Sequence, residues 1–121
     1  MIDATLLFYG TTVFSPWFPR QADMLRVVAE CVAVNNATLV ISLYTKNVED
    51  TGDGNPVNEA VEITLNSIGR SSVAEWKTVP PEDGVQQLLR FRYSVVGDEG
   101  APNDWILFRL LPAVWFDAVS V

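Results

Sequence analysis

Residues 24–55, MLRVVAECVAVNNATLVISLYTKNVEDTGDGN, decide what kind of domain this chain can be. Met24–Val34 is a long apolar run, Asn35-Asn36 is turn chemistry, Ala37–Tyr44 is a second run, and Thr45–Asn55 is an acidic loop with glycines. Read as a strand, the first run puts Leu25, Val27, Ala29, Cys31 and Ala33 on one face, with Arg26, Val28, Glu30, Val32 and Val34 on the other. Read as a helix, it gives a stripe of Met24, Leu25, Val28 and Val32, a cap at Asp23 and an Arg26–Glu30 pair one turn apart. Four valines and the abrupt Asn-Asn pair favour the strand. Branched side chains suit a pleated surface, and Asn tolerates the positive φ of a tight hairpin turn. The helix stays open on sequence alone. Ala37–Tyr44 alternates without ambiguity, Leu39, Ile41 and Leu43 against Val40, Ser42 and Tyr44. The expectation is a β-hairpin with the rest of the chain built around it.

Working outward, the same alternation recurs. Ala4–Tyr9 is a short apolar run stopped by Gly10, a first strand able to be buried on both faces. Val13–Arg20 carries three aromatics broken by two prolines; without ladder donors at those prolines it belongs at a sheet edge or in an extended loop. Glu59–Ile68 turns Val61, Ile63 and Leu65 inward, and Val73–Val79 sets Trp76 against Glu75 and Lys77. Pro80–Gly84 is a loop. Gln86–Val96 places Leu89, Phe91, Tyr93 and Val95 on one face, and Leu88, Arg90, Arg92 and Ser94 on the other. After a second acidic loop, Gly97–Asn103, the run Asp104–Leu111 turns Ile106, Phe108 and Leu110 one way and Trp105, Leu107 and Arg109 the other. Ala113–Val121 is a last apolar segment beyond Pro112, and an apolar terminal strand must pair with its own sheet or a neighbour's. About eight short strands separated by turn signals predict one all-β domain over residues 1–121, an antiparallel, jelly-roll-like β-sandwich.

Composition narrows function by exclusion. The 121 residues carry a net charge of −7, the wrong sign for phosphate backbones or an anionic membrane surface. With no histidine and one cysteine, Ser-His and Cys-His nucleophile pairs, His-ligated zinc and intrachain disulfides are all ruled out. Cys31 reads as a small buried apolar residue. Paired carboxylates of the glycosidase kind have nothing to fix their separation, so no enzyme and no cofactor is expected. No signal peptide is visible at the N-terminus and no apolar run is long enough for a membrane span, which points to the cytoplasm. In that setting Asn36-Ala37-Thr38 is turn chemistry rather than a glycosylation site.

Three features have site chemistry. The acidic loops offer oxygen ligands for calcium, Glu49, Asp50, Asp53 and Asn55 in one and Asp98, Glu99, Asn103 and Asp104 in the other, and loops at one end of a sandwich can pool them. Their spacing departs from the EF-hand pattern, and Asp, Asn and Gly are favoured in solvated turns anyway, so no metal is the leading expectation. Arg90 and Arg92 share a strand face, with Arg109 expected on a neighbouring strand and Glu62 and Glu75 as cross-strand partners; that is a solvated charge ladder or a docking face. Finally, Trp17, Phe18, Trp76, Trp105, Trp115 and Phe116 exceed what one thin core can hold. Surplus rings either bury into a neighbouring subunit or stack on sugars.

Phe14-Ser15-Pro16-Trp17-Phe18-Pro19-Arg20, the long strand after it, and residues 44–54 (YTKNVEDTGDG) resemble small virion proteins of tailed bacteriophages, in particular the β-sandwich cement or decoration proteins of capsid shells. The resemblance spans roughly the first half of the chain. It implies a non-enzymatic protein that oligomerises and clamps neighbouring shell subunits, assembled in a host cytoplasm and carried in the virion. No binding residue is carried over from it. The residues themselves nominate Trp17, Phe18, Arg90, Arg92, Trp105, Arg109, Trp115 and Phe116 for contact with shell subunits or further copies of the chain. The alternative is a carbohydrate-binding module using Trp17, Trp76 or Trp105.

Overall fold

A computed structural model of the chain describes residues 2–59, 61–69, 71–78, 85–97 and 104–117. Of the segments read above, Pro80–Gly84, most of the second acidic loop (with Asp98, Glu99 and Asn103) and the last four residues lie outside that set. The strands are β1 (Ile2–Phe8), β2 (Thr12–Phe14), β3 (Phe18–Pro19), β4 (Met24–Asn35), β5 (Ala37–Lys46), β6 (Asn55–Pro56), β7 (Ile63–Leu65), β8 (Ser71–Lys77), β9 (Leu88–Gly97), β10 (Trp105–Leu110) and β11 (Val114–Phe116). Residues 24–34 are strand, which settles the period left open above. Of the described residues in the run Glu59–Ile68, the three of β7 pair and the others do not.

Sheet one is β1-β10-β4, with β11 continuing along the edge of β4 that β10 occupies and β8 on its other edge. Sheet two has β9 and β5 at its centre; β2 and β3 follow one another along β9, and β6 and β7 along β5. Merging those collinear pieces leaves four strand positions per sheet. First pairs with last (β1 with β10), second with next-to-last (β2 and β3 with β9), and so inward through β4–β8 and β5–β7. That nested hairpin is rolled so that β4 also meets β10 and β5 meets β9. This is the winding of a jelly roll.

The Asn35-Asn36 turn does not close a hairpin. Asn35 is opposite Trp105 in sheet one and Ala37 is opposite Gly97 in sheet two, so Asn36 alone carries the chain between sheets. Both edges of β4 and of β5 are already taken by other strands, leaving none for the two to share. Asn36 has φ 53°, the left-handed region that Asn enters readily. Two residues reach at most about 7 Å, so the sheets are pinched here below their usual separation of about 10 Å.

The core is the inward alternation of both central strands: Leu25, Val27, Ala29 and Cys31 against Ala37, Leu39, Ile41 and Leu43, joined by Trp76, Phe91, Tyr93, Ile106 and Phe108. Ala33 departs from the expected face. The β4–β10 register slips between Leu107 and Phe108, passing over Val32, and this bulge reverses the parity so that Val34 turns inward instead. At the edge of sheet two the prolines have the expected effect. Between β2 and β3, Ser15 replaces the ladder: its N–H donates to Phe91 O (2.9 Å) and its hydroxyl accepts from Phe91 N (2.9 Å). The buried Thr78 is satisfied likewise, its hydroxyl donating to Ala22 O at 2.6 Å.

The crossing makes a direct prediction. Asn36→Val should cost about 1–2 kcal/mol in urea denaturation, because a branched residue resists left-handed backbone, whereas Asn36→Gly should be close to neutral. Equal losses in both variants would show that backbone conformation is not what Asn36 contributes.

Candidate functional site

The arginines expected to form one face are divided between the two sides of the sandwich. Arg90 and Arg92 lie on β9 in sheet two, while Arg109 lies on β10 in sheet one. Strand parity puts all three outward, but parity does not say which sheet a strand joins. Arg109 pairs with Glu30 across the β4–β10 ladder at 2.6 Å. Glu75 is opposite Arg26 in sheet one, 3.9 Å away, rather than beside Arg90 or Arg92. Glu62 does line a shallow hollow with Glu59, Tyr44 and Arg92.

Arg90 is the most enclosed of them, its side chain only 12% exposed. Its guanidinium carbon sits 3.8 Å from the centre of the Phe14 ring and 4.3 Å from that of Trp17. One nitrogen donates to both the carbonyl (3.0 Å) and the carboxylate (3.1 Å) of Asp53. Lys46 lies over the same Trp17 ring at 4.9 Å. The indole edge presses on Gly54, where an added Cβ would lie 2.8 Å from Trp17 and 2.6 Å from Thr45 O, at a φ of 85° that favours glycine regardless. Trp17, Arg90 and the first acidic loop therefore form one clasp.

Two of the loop's carboxylates are used in holding it. Asp50 accepts from the Asn47 N–H at 3.0 Å, Asp53 pairs with Arg90, and Asn55 belongs to β6 opposite Thr45. Among the described residues no three His, Cys, Asp or Glu side chains gather as metal ligands. The strand residues that precede the two acidic loops stand at opposite ends of the β5–β9 ladder. Lys46, before the first, is opposite Leu88, whereas Gly97, before the second, is opposite Ala37. About 30 Å of strand separates those two anchor positions; the ligands named in the second loop, Asp98, Glu99 and Asn103, lie outside the described residues.

Apart from Trp17 in the clasp, the aromatic surplus resolves into three groups. Trp76 is core, 1% exposed, with its indole N–H donating to Val61 O at 3.2 Å; the sugar reading loses it. Phe18 and Trp115 cap the core, 6.1 Å apart edge to face, with Phe18 also 5.4 Å from Phe91. Trp105 and Phe116 remain on the outside of sheet one.

Around Trp105 lies a surface the sequence reading missed. Leu6 and Phe8 of β1 are each 48% exposed and are opposite Leu107 and Trp105. Leu107 in turn is opposite Ala33, next to the exposed Val32. Cross-strand neighbours share a face, so these residues make one apolar patch across three strands. The signal was present: both faces of Ala4–Tyr9 are apolar. It implied burial on both sides, but β1 is an edge strand whose outward Leu6 and Phe8 no described residue covers.

Between the sheets, on the side where β1 and β2 are the edges, is a cavity of about 440 Å³ lined mainly by apolar side chains. Tyr93 lines it, 3% exposed, and its hydroxyl has no hydrogen-bond partner. Burial raises the pKa of that hydroxyl above its ordinary 10.0, and raises that of the Cys31 thiol above 9.0. The thiol, 3% exposed, donates weakly to Ala33 O at 3.7 Å and stays protonated.

No protein-family model and no curated protein sequence matches this chain. Among solved structures, a chain of the infectious bursal disease virus Gt strain structure is similar, with a TM-score of 0.57 over 93% of this chain at 12% identity. This chain spans 28% of that one. At such low identity the likeness establishes the fold alone. The similar structure is viral, though not from a tailed bacteriophage. Among the described residues no helix is long and apolar enough to cross a membrane.

Two predictions follow from these contacts. Arg90→Ala, which strips a guanidinium from two rings, should cost about 2 kcal/mol, whereas Asp53→Ala, on a side chain 77% exposed, should cost less than about 0.5 kcal/mol; urea denaturation of both separates ring stacking from charge pairing. For pH, both raised groups bind their protons more tightly when folded than unfolded. Stability should therefore hold below about pH 9 and fall as pH rises further, and Tyr93→Phe should flatten the fall above about pH 10.

Proposed function

We propose that this chain is a non-enzymatic structural protein of a virion, which self-associates and holds neighbouring protein subunits of a shell together in the manner of a capsid cement or decoration protein. The observation that carries the reading is the apolar patch of Leu6, Phe8, Leu107, Trp105 and Val32 on the outer face of sheet one. Isolated exposed apolar residues are ordinary, but a contiguous group with two rings, spread over three strands, has the make-up of an interface core. The jelly-roll winding and the viral origin of the similar structure favour the same reading. Phe116, exposed at the far end of the same sheet, and Arg109 belong to this face. Trp17 and Arg90 act indirectly, by fixing the acidic loop as a rigid surface, and Arg92 faces away on sheet two. The mechanism is burial of flat apolar area on a partner, with charge pairs at the margin setting orientation.

The carbohydrate-binding alternative retains only Trp105 as an available platform, since Trp76 is core and Trp17 is covered by Arg90 and Lys46.

Sedimentation velocity tests the proposal. The native protein should run as an oligomer, and Leu6→Glu with Leu107→Lys should run as a monomer with an unchanged melting temperature, because both positions face outward. A native chain that stays monomeric at all concentrations and binds no protein shell would sink the idea.

A further inference from the structure

The cavity beside Tyr93 has the chemistry of a binding site. Its origin is topological. β1 and β2 diverge from the turn at Gly10 (φ 81°), one entering sheet one and the other sheet two, and no ladder pairs them. Phe18 closes one end against Phe91 and Trp115. Of the described side chains of β1, Thr5 and Leu7 reach in, and Val13, 38% exposed, stands at the open rim. The sandwich is thus underfilled along this edge.

Water is a poor occupant. The 440 Å³ is the volume of about fifteen water molecules at liquid density, and each buried water needs two to four polar partners. The Ser15 hydroxyl is committed to Phe91 N and Pro16 O. The Tyr93 hydroxyl is the group left over: 97% of its residue surface is buried, its ring is held 5.6 Å from Phe108 and 6.4 Å from Phe91, and it has neither donor nor acceptor to meet. Leaving a buried hydroxyl unpaired costs about 1–3 kcal/mol, a cost that a bound polar group would remove once a small tilt of the ring uncovers the oxygen to the cavity.

We propose that this cavity binds a neutral amphiphile, a small molecule with an aliphatic or aromatic body and one uncharged hydroxyl or amide that hydrogen-bonds to Tyr93. Size and lining match the general pattern of small-molecule sites, mostly apolar with few polar groups that fix orientation. Neutrality follows from the walls. Among the described residues none that lines the cavity carries a charge, so an ionised head group would lose its hydration with nothing from them in return. The site is on the opposite side of β1 from the patch assigned to assembly, since inward and outward residues alternate along that strand. Occupancy therefore does not depend on the assembly reading.

The test uses the whole protein with 1-octanol as probe, toluene as the control without a head group, and octanoate at pH 8 as the charged control. Binding is followed by tryptophan fluorescence and by nuclear magnetic resonance shifts, and sedimentation is run in parallel. Octanol should bind saturably at one per chain, with octanoate at least tenfold weaker. Tyr93→Phe should weaken octanol by roughly 2- to 10-fold, the worth of one hydrogen bond, and leave toluene unchanged. This variant should fold normally, because the hydroxyl it removes has no partner. Val13→Trp, a change on an exposed edge strand, should block the rim and weaken both ligands at least tenfold. The proposal is overturned by no saturable binding up to the solubility limit, by octanoate matching octanol, by octanol binding that ignores both substitutions, or by shifts that track self-association instead of ligand. The last outcome would mean that the cavity receives a side chain from a second copy.

Discussion

Everything in this fold depends on one residue being able to sit in left-handed backbone. Asn36 joins the centre of one sheet to the centre of the other without a loop, and this pins β4 and β5 face to face. Once β4 and β5 are opposed in that way, each must find both hydrogen-bonding neighbours elsewhere in the chain. β8 and β10 flank β4, and β9 with β6 and β7 flanks β5. The nested pairing of a jelly roll is what results when an antiparallel chain meets that condition. The tight crossing also explains the shape of the core, which is pinched at the Asn36 end and underfilled along the β1–β2 edge.

This constraint shows what could and could not be read from residues alone. Side-chain direction has a strict period of two, so Leu39, Ile41, Leu43, Leu89, Phe91, Tyr93, Ile106 and Phe108 could all be placed inward from the sequence, and the structure buries them. The sheet a strand joins leaves no such trace. A turn at Asn35-Asn36 looks the same whether the strands pair or part, and so the hairpin reading failed although both strands were found. Arg109 was placed beside Arg90 and Arg92 for the same reason. The bulge at Val32 is a second blind spot, since one inserted residue reverses the facing of Ala33 and Val34 without changing composition. The clasp around Arg90 was illegible because it joins residues 14, 17, 53 and 90 from three separate segments.

The clasp also illustrates how magnitude sorts interactions that look alike as contacts. Arg90–Asp53 and Arg109–Glu30 are both close ion pairs, and by distance the second is the shorter. Yet an exposed pair contributes only about 0–1 kcal/mol, and both of those pairs have at least one partner open to solvent. What distinguishes Arg90 is the pair of rings around its guanidinium, where each cation–π contact adds about 0.5–2 kcal/mol once water is excluded. Arg90 thus holds the loop chiefly through Phe14 and Trp17, with Asp53 setting direction.

Charge distribution bears on how an acidic protein could associate with copies of itself. A net charge of −7 spread evenly would oppose any contact between copies. It is not spread evenly. On the described outward strand positions of sheet one, Arg26, Lys77 and Arg109 stand against Glu30 and Glu75, so charges of the two signs are nearly balanced there while much of the acid lies elsewhere. Glu49, Asp50 and Asp53 are at the rim of sheet two, and Glu59 and Glu62 are beside it. Repulsion is therefore strongest where contact would be unproductive and weakest over Leu6, Phe8 and Leu107. The same arrangement that leaves β1 uncovered at the sandwich edge thereby also makes its face the least costly surface to bury.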